Sequence, residues 1–142
     1  MVKIRSLLAA ELAWANDRYA EIHFLGSTAQ DFIAVAEVDG NKAGLGRLVA
    51  IDAGSGELGG IYVLPDFRGR KIAAAIVSYL LAHSPYRRLF CIPFAHLESF
   101  YAGFGFRPPE AEFAVPDAVA KKLNWCCKEY PSSVRLLLRV AD

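Results

Sequence analysis

The chain carries a basic segment, Arg68-Gly69-Arg70-Lys71, between a predicted strand and a predicted helix. Backbone N–H groups at the start of a helix have no partner within the helix, and the helix dipole adds partial positive charge there. Such a helix start binds phosphate, and the basic side chains add full charges. The segment lacks the glycine patterns G-x-G-x-x-G and G-x-x-x-x-G-K-[ST], so it does not predict a dinucleotide or ATP loop. A solvated basic turn is the alternative interpretation.

A second segment downstream reads F-Y-A-G-F-G-F over residues 100–106. Together with V-L-P-D-F-R-G-R-K-I-A over residues 63–73, it resembles the GNAT superfamily of N-acetyltransferases. The family pattern is a strand ending in V-x-P, then R-G-x-G-x-G/A opening a helix, and further on F-Y-x-x-x-G-F. The close resemblance covers about residues 57–108. The flanking elements agree with the family in type and order only.

The resemblance implies acetyl-coenzyme A (acetyl-CoA) as the acyl donor, with no metal. In the family, amides at the helix start hold the pyrophosphate, and the pantetheine arm pairs like an extra strand with the preceding strand. This arrangement requires two parallel strands that splay at their C-terminal ends, where ligands of α/β sheets commonly bind. The implied cofactor-binding residues are Ile61, Tyr62, Val63, Arg68, Gly69, Arg70, Lys71, Ile72 and Ala73.

One position departs from the family pattern, because the third motif glycine is Lys71 here. If the site needs the left-handed backbone that glycine favours, the added Cβ crowds the pyrophosphate. If the backbone is ordinary right-handed helix, lysine fits and its charge helps to bind phosphate. The sequence leaves both alternatives open.

Transfer of an acetyl group to an amine needs proton transfers that the chain must support. A lysine-type amine, with a pKa near 10.4, is mostly protonated at pH 7 and needs a base. A backbone N–H on the strand before the basic segment is expected to stabilise the oxyanion. The leaving thiolate needs a proton, and Tyr101 matches the family tyrosine that usually donates it. The alternative is that Tyr101 is an ordinary aromatic residue on a packed helix.

The general base is open to several interpretations. Glu57 matches the position of the family's glutamate base, although many members use a water chain instead. It also fits a solvated residue at a strand start. Glu98 lies one helical turn before Tyr101 and is a weaker candidate, and His96 more often caps a helix or faces solvent. Cys126 and Cys127 are interpreted as buried packing residues rather than nucleophiles.

Apolar periodicity and turn residues predict the elements that position these side chains. We expect strands over residues 2–5, 32–38, 43–51, 57–64, 89–92 and 134–140, and helices over residues 8–22, 69–83, 96–104 and 117–128. A further strand between the last two helices is optional. The strands over 32–64 predict an antiparallel meander, and residues 57–92 a βαβ unit with a parallel pair.

These elements predict an α/β (α+β) fold. We expect one GNAT-like domain over residues 1–142, with a mixed, mostly antiparallel sheet, a central βαβ crossover and splayed parallel strands.

Composition excludes several classes of protein. Hydrophobic residues make up 54% of the chain, which argues against disorder. The net charge of +1 gives no whole-molecule attraction for nucleic acid or an anionic membrane. The longest nearly apolar run, Ile72 to Ala82, is shorter than the roughly 17–25 residues of a membrane span. The cysteines and histidines are too scattered for a structural zinc site. We expect a cytoplasmic protein without nucleic-acid, membrane or metal partners.

The predicted function is N-acetyl transfer from acetyl-CoA to a primary amine of a small molecule or peptide, by a monomer or homodimer. The alternative is a catalytically weak GNAT-like domain that binds CoA or a protein partner. In such folds the acceptor groove is formed by the first helix and loop, here residues 14–31, and by residues 109–131. Both segments are rich in aromatic residues, which fit either an apolar pocket or the core.

Overall fold

The computed structural model describes residues 1–141. Its strands are β1 (Val2–Ser6), β2 (Phe32–Val38), β3 (Asn41–Ala50), β4 (Ser55–Val63), β5 (Arg88–Cys91) and β6 (Leu137–Val140). Its α-helices are α1 (Leu12–Glu21), α2 (Ile72–His83), α3 (Glu98–Ala102) and α4 (Asp117–Glu129). Short 3₁₀ turns occupy Ala9–Glu11, Pro65–Phe67 and Ala95–Leu97.

The six strands form a mixed sheet in the order β1-β2-β3-β4-β5-β6. The pairs β1–β2, β2–β3 and β5–β6 are antiparallel, whereas β4 and β5 are parallel. The parallel ladder contains the pairs Ser55–Arg88, Gly56–Leu89 and Glu57–Phe90, and β4 continues beyond it to Val63. The predicted fold class, with its βαβ crossover through α2, is confirmed.

Most predicted elements are present, and the differences occur at their ends. Helix α2 begins at Ile72 rather than Gly69, because Gly69 and Lys71 have positive φ angles that no right-handed helix contains. The expected third helix divides into the 3₁₀ turn Ala95–Leu97 and the short α3. Strand β6 begins at Leu137, and Val134 makes only an isolated bridge to Phe94.

Within the described residues, the optional strand between α3 and α4 is reduced to one isolated bridge between Arg107 and Leu138.

The chain divides into two compact units. The first unit comprises Met1–Val49 and Gly60–Ser84, and the second comprises Ala50–Gly59 and the chain from Pro85 onward. Strand β4 therefore contributes its first half to the second unit and its second half to the first.

In the first unit, Ala15 and Tyr19 of α1 are fully buried against Ile33 and Leu45 of the sheet. Helix α2 buries Ile72, Ile76, Val77 and Leu80. Its approach to β3 depends on Gly46, where a Cβ would lie 2.5 Å from Ile61 Cδ1 and 2.7 Å from Ile76 Cγ2.

In the second unit, β5 is the buried strand, as its apolar sequence predicts. Leu89, Phe90 and Cys91 are at most 2% exposed. Antiparallel pairing with β6 places Leu137 opposite Cys91. Helix α4 contributes buried Val119 and Cys126.

Over residues 1–141, no helix is both long enough and apolar enough to cross a membrane. In the same residues, no group of three His, Cys, Asp or Glu side chains is placed to hold a metal ion.

Candidate functional site

The predicted phosphate-binding segment forms an exposed loop between the 3₁₀ turn Pro65–Phe67 and α2 in the first unit. Arg68, Arg70 and Lys71 are all exposed. The Arg68 guanidinium folds back on the end of β4, where its Nε donates to the Val63 carbonyl at 3.2 Å. The Arg70 guanidinium lies 5.7 Å from the centre of the Phe67 ring. One basic side chain of this loop is thus tied to the strand, and another is tied to the turn.

The start of α2 carries no side-chain cap. Lys71 is the N-cap residue, and its side chain makes no capping hydrogen bond. The first N–H groups of a helix have no carbonyl partner within it, and the helix dipole makes this end positive. The α2 N-terminus therefore has backbone donors and partial positive charge that are suited to an anion.

The backbone of this loop settles the question raised by Lys71. Lys71 has φ 60° and ψ 26°, which is the left-handed conformation that glycine favours. The alternative of an ordinary right-handed backbone is therefore wrong. A side chain in this conformation costs about 1–2 kcal/mol. Gly69, at φ 82°, has open space where a Cβ would lie. The loop thus has two residues in the left-handed conformation, and one of them is lysine.

Strand β4 changes conformation at Gly60, immediately before the predicted pantetheine-binding residues Ile61, Tyr62 and Val63. Gly60 has φ 60°, and a Cβ there would lie 2.6 Å from the Tyr19 hydroxyl. That hydroxyl donates to the Gly60 carbonyl at 2.9 Å. Tyr19 on α1 thereby holds the irregular point of β4. Sequence analysis missed this role, because Tyr19 reads as one more apolar residue of the α1 periodicity.

Glu57, the candidate base, lies in the second unit and is 7% exposed. Its Oε2 accepts a hydrogen bond from Lys122 Nζ at 2.7 Å. The ion pair occupies one of the two carboxylate oxygens. Lys122 lies on α4, 65 residues along the chain, and no local signal in the sequence connects the two. The expectation that Glu57 could be a solvated strand residue is wrong.

Tyr101, the candidate acid, is 5% exposed in the second unit. Its ring packs edge-on against Phe100 and Phe106, at centroid distances of 4.9 Å and 6.0 Å. Burial raises the pKa of the Tyr101 hydroxyl, and the neighbouring Cys91 raises it further. The phenol therefore stays protonated at neutral pH, which is the state that a proton donor needs.

The weaker candidates have other partners. Glu98 forms an ion pair with Arg135 at 3.4 Å, and both side chains are exposed. His96 is exposed and stacks on Phe94 with a centroid distance of 6.1 Å.

Cys91 and Cys126 are buried free thiols beside the Glu57–Lys122 ion pair. Burial raises the pKa of both thiols, and the charges of Glu57 and Lys122 act on both. They are therefore protonated at neutral pH and unsuited to nucleophilic attack. The expectation of buried packing is confirmed for Cys126 and is wrong for Cys127, which is exposed.

The structure groups the predicted site residues in two sets. The implied cofactor-binding residues all lie in the first unit, along the second half of β4, the basic loop and the start of α2. Glu57 and Tyr101 both lie in the second unit. Lys122, Tyr19 and Gly60 are the site neighbours that sequence analysis did not predict.

Comparison with known proteins identifies the family of this chain. The family model of the acetyltransferase (GNAT) domain matches residues 29–108. The chain belongs to the GNAT acetyltransferase family. A comparison with curated proteins gave no match.

Several solved structures share the fold. Rv2747 from Mycobacterium tuberculosis, in complex with CoA and NLQ, has a TM-score of 0.79 at 20% identity, over 99% of both chains. A GNAT family acetyltransferase from Elizabethkingia anophelis with acetyl-CoA bound has a TM-score of 0.70 at 16% identity, over 99% of this chain and 98% of that one.

N-acetylglutamate synthase from Neisseria gonorrhoeae, complexed with CoA and N-acetylglutamate, has a TM-score of 0.73 at 18% identity. The alignment covers 100% of this chain but 35% of the synthase chain, so the chain spans about a third of that protein's length.

Proposed function

We propose that this chain is an N-acetyltransferase that moves an acetyl group from acetyl-CoA to a primary amine of a small molecule or peptide by direct attack. The observation that carries the proposal is the start of α2. Its uncapped amides follow a loop with Gly69 and Lys71 in the left-handed conformation, at the place where the family binds pyrophosphate. Solved structures of the same fold contain CoA or acetyl-CoA.

In this proposal the first unit binds the acyl donor. Amides over residues 68–73 bind the pyrophosphate, and the exposed Arg68, Arg70 and Lys71 add charge. The backbone of Ile61, Tyr62 and Val63 lies beyond the last residue pair of the β4–β5 ladder, and it pairs with the pantetheine arm. The donor supplies an activated thioester, so the protein has only to position it and manage protons.

Tyr101 is the proposed proton donor to the leaving thiolate. Its hydroxyl is protonated at neutral pH because burial raises its pKa. The rigid packing of its ring against Phe100 and Phe106 limits the entropy lost on positioning the hydroxyl. These properties support general acid catalysis by this residue.

Glu57 is the proposed base, and Lys122 is its ion-pair partner. The Glu57 carboxyl group is buried, and in this role it takes a proton from the substrate ammonium directly or through water, so that the neutral amine can attack the thioester. Lys122 Nζ occupies one of the two carboxylate oxygens, which leaves the other oxygen to accept the proton.

Two observations favour a second candidate function, CoA or partner binding without efficient catalysis. Lys71 stands where the family has glycine, and the candidate base is already engaged by Lys122. The fold alone does not decide between binding and turnover.

The deciding experiment is a thiol-release assay with acetyl-CoA and a panel of amines, amino acids and peptides. Release without amine measures background hydrolysis, and calorimetry with CoA measures binding separately. Amine-dependent release that is lost in Tyr101→Phe supports the proposed function. CoA binding without thiol release on any amine supports the second candidate. If the protein shows no CoA binding and no thiol release, both candidate functions are refuted.

The domain organisation, oligomeric state and location of the protein are also proposals. We infer one functional domain over residues 1–142, a monomer or homodimer, located in the cytoplasm. The three free cysteines are compatible with a reducing compartment, and the net charge of +1 gives no whole-molecule attraction for nucleic acid.

A further inference from the structure

Arg47 is a buried charge in the first unit with no acidic partner. It lies on β3 and is 4% exposed. None of the ion pairs formed by residues 1–141 includes it. A guanidinium stays charged at all physiological pH values. Arginine is seldom buried unless an anion pairs with it, because desolvation of the charge is unfavourable.

Uncharged groups hold the Arg47 guanidinium in place. Its Nη1 donates to the Ser27 hydroxyl oxygen. Ser27 is itself fixed by Asn16, whose Oδ1 accepts from the Ser27 N–H at 2.7 Å and whose Nδ2 donates to the Ser27 carbonyl at 3.0 Å. The guanidinium carbon also lies 4.3 Å from the centre of the Tyr19 ring. The charge is therefore positioned from two sides but not neutralised.

Asp31 is the acidic residue whose charge acts on Tyr19. Burial raises the pKa of Tyr19, the charge of Arg47 opposes this rise, and the charge of Asp31 adds to it. Asp31 is held in its own turn, where Oδ2 accepts from the Thr28 N–H at 3.2 Å. It is beyond ion-pair distance from Arg47, so it does not supply the missing anion.

Tyr19 links this arginine to the strand that we propose for the acetyl donor. The ring that stacks under Arg47 carries the hydroxyl that donates to the Gly60 carbonyl. Gly60 directly precedes Ile61, Tyr62 and Val63. The positioned charge is therefore one side chain away from the backbone expected to bind pantetheine.

We propose that Arg47 binds a carboxylate of the acceptor, so that the substrate class is amino carboxylates. This inference rests on the proposed acetyltransferase function. A guanidinium has five donors in a planar fork that matches a carboxylate, and Ser27 uses only part of that fork. Free amino acids and peptides with a free C-terminus share the required carboxylate.

The first test compares ligands on the wild-type protein by thiol release. The series consists of an α-amino acid, its carboxamide, its decarboxylated amine and a dipeptide with a free C-terminus. We expect kcat/KM for the free acids to exceed that of the carboxamide by about 10–100-fold, the range for hydrogen bonds to charged groups. The comparison of amino acid with dipeptide identifies the source of the carboxylate. Equal rates for acid and carboxamide overturn the inference and leave the proposed function standing.

The second test uses Arg47→Gln and Arg47→Lys. Both should reduce the ratio of acid to carboxamide toward one while the carboxamide rate stays within a few fold. Arg47→Lys should lose less, because it keeps the charge without the fork. The control Lys3→Gln removes an exposed positive charge on β1 and should leave the ratio unchanged. An unchanged ratio in folded Arg47→Gln overturns the inference, and if that variant does not fold, Arg47→Lys and the ligand series decide.

A binding measurement separates this inference from the proposed function. Calorimetry with an N-acetylated amino acid, without acetyl-CoA, should show saturable binding that Arg47→Gln weakens about 10-fold or more. Such binding with no turnover of any amine would retain the carboxylate site and refute the acetyltransferase. Turnover of amines with no Arg47-dependent carboxylate binding would retain the acetyltransferase and refute the carboxylate site.

Discussion

Tyr101 shows how burial sets the chemistry of a single residue. A solvent-exposed tyrosine gives up its proton near pH 10, whereas burial raises the pKa of the Tyr101 hydroxyl above this value. The hydroxyl therefore remains protonated over the whole physiological pH range. Its ring packing is independent of the hydroxyl, so the two roles can be separated by one substitution.

Tyr101→Phe removes the hydroxyl and keeps the ring. We expect the catalytic rate to fall about 10²–10⁴-fold, the usual contribution of a positioned acid. The fall should be equal in kcat and kcat/KM, because the proton is transferred in the transition state. Affinity for CoA should stay within a few fold. Tyr79→Phe, which removes a hydroxyl that contacts Ser6, is the matched control. Full activity of Tyr101→Phe would leave solvent as the donor.

Lys71 and Arg68 test the loop residue by residue. Lys71→Gly relieves the left-handed strain, so we expect a gain of up to about 1 kcal/mol in the free energy of unfolding, measured by denaturant titration.

Arg68→Ala should weaken CoA binding by about 1–3 kcal/mol, measured by calorimetry, if its guanidinium contacts pyrophosphate. Unchanged CoA affinity in both Arg68→Ala and Lys71→Gly would place the phosphates elsewhere. A loss of stability in Lys71→Gly would contradict the inference that the left-handed backbone at Lys71 is strained.

At the scale of elements, β4 is the part of the fold with two tasks. Its first half pairs in parallel with β5, and its second half follows the left-handed Gly60. The Tyr19 hydroxyl fills the space where any other residue would place a Cβ. Close contact and backbone angle therefore both require glycine at this position.

Gly60→Ala should lower the free energy of unfolding by about 2–4 kcal/mol, from left-handed strain and overpacking combined. Gly40→Ala is the matched control, because Gly40 has φ 82° but nothing within 4 Å of the added Cβ. It should cost only the strain, about 1–2 kcal/mol. Equal losses in the two variants, measured by chemical denaturation, would show that the Tyr19 contact is unimportant.

A partly buried ion pair between Arg5 and Glu11 joins the start of α1 to β1. Arg5 Nη1 and Nη2 each lie 2.8 Å from a Glu11 carboxylate oxygen, and Glu11 also accepts from the Leu8 N–H. Hydrogen bonding to Arg5 is the main cause that lowers the pKa of Glu11 from 4.5 to about 2. Because the pKa of Glu11 is lower in the folded than in the unfolded state, its ionisation stabilises the fold above the unfolded pKa. This stabilisation is lost as pH falls toward the folded pKa.

We therefore expect the free energy of unfolding to fall by about 2–3 kcal/mol between pH 5 and pH 2 through this group. Urea titrations at several pH values measure the slope, and Glu11→Gln, which cannot titrate, should flatten it. An identical acid slope in Glu11→Gln would assign the effect to other carboxylates.

For the whole molecule, family membership and the proposed donor site make one direct prediction. Acetyl-CoA that binds only the native state should raise the melting temperature by mass action. At 100 times the dissociation constant, the stabilisation is about 2.7 kcal/mol. Calorimetric binding should give a consistent affinity. No thermal shift at millimolar acetyl-CoA, with no heat of binding, would refute both the acetyltransferase and the CoA-binding function.

The amino-acid sequence by itself predicted the order and type of the elements, because helical and strand periodicities are local properties of the chain. It also identified the family, since each of the two motifs, over residues 63–73 and over residues 100–106, is an uninterrupted run of the chain. The fold class is confirmed by the structure, whereas the roles of Tyr101 and Glu57 remain predictions. Ends of elements were less accurate, as at α2, where two left-handed residues delay the helix.

Only the tertiary structure revealed the partners of the charged and polar groups. The Glu57–Lys122 pair joins residues 65 apart, and the Tyr19–Gly60 hydrogen bond joins residues 41 apart. Arg47 reads in sequence as one charged residue in a strand, and its burial depends on α1 and the following loop folding over it. Such contacts depend on how the elements pack, because periodicity indicates which face is buried but not which residue of another element it contacts.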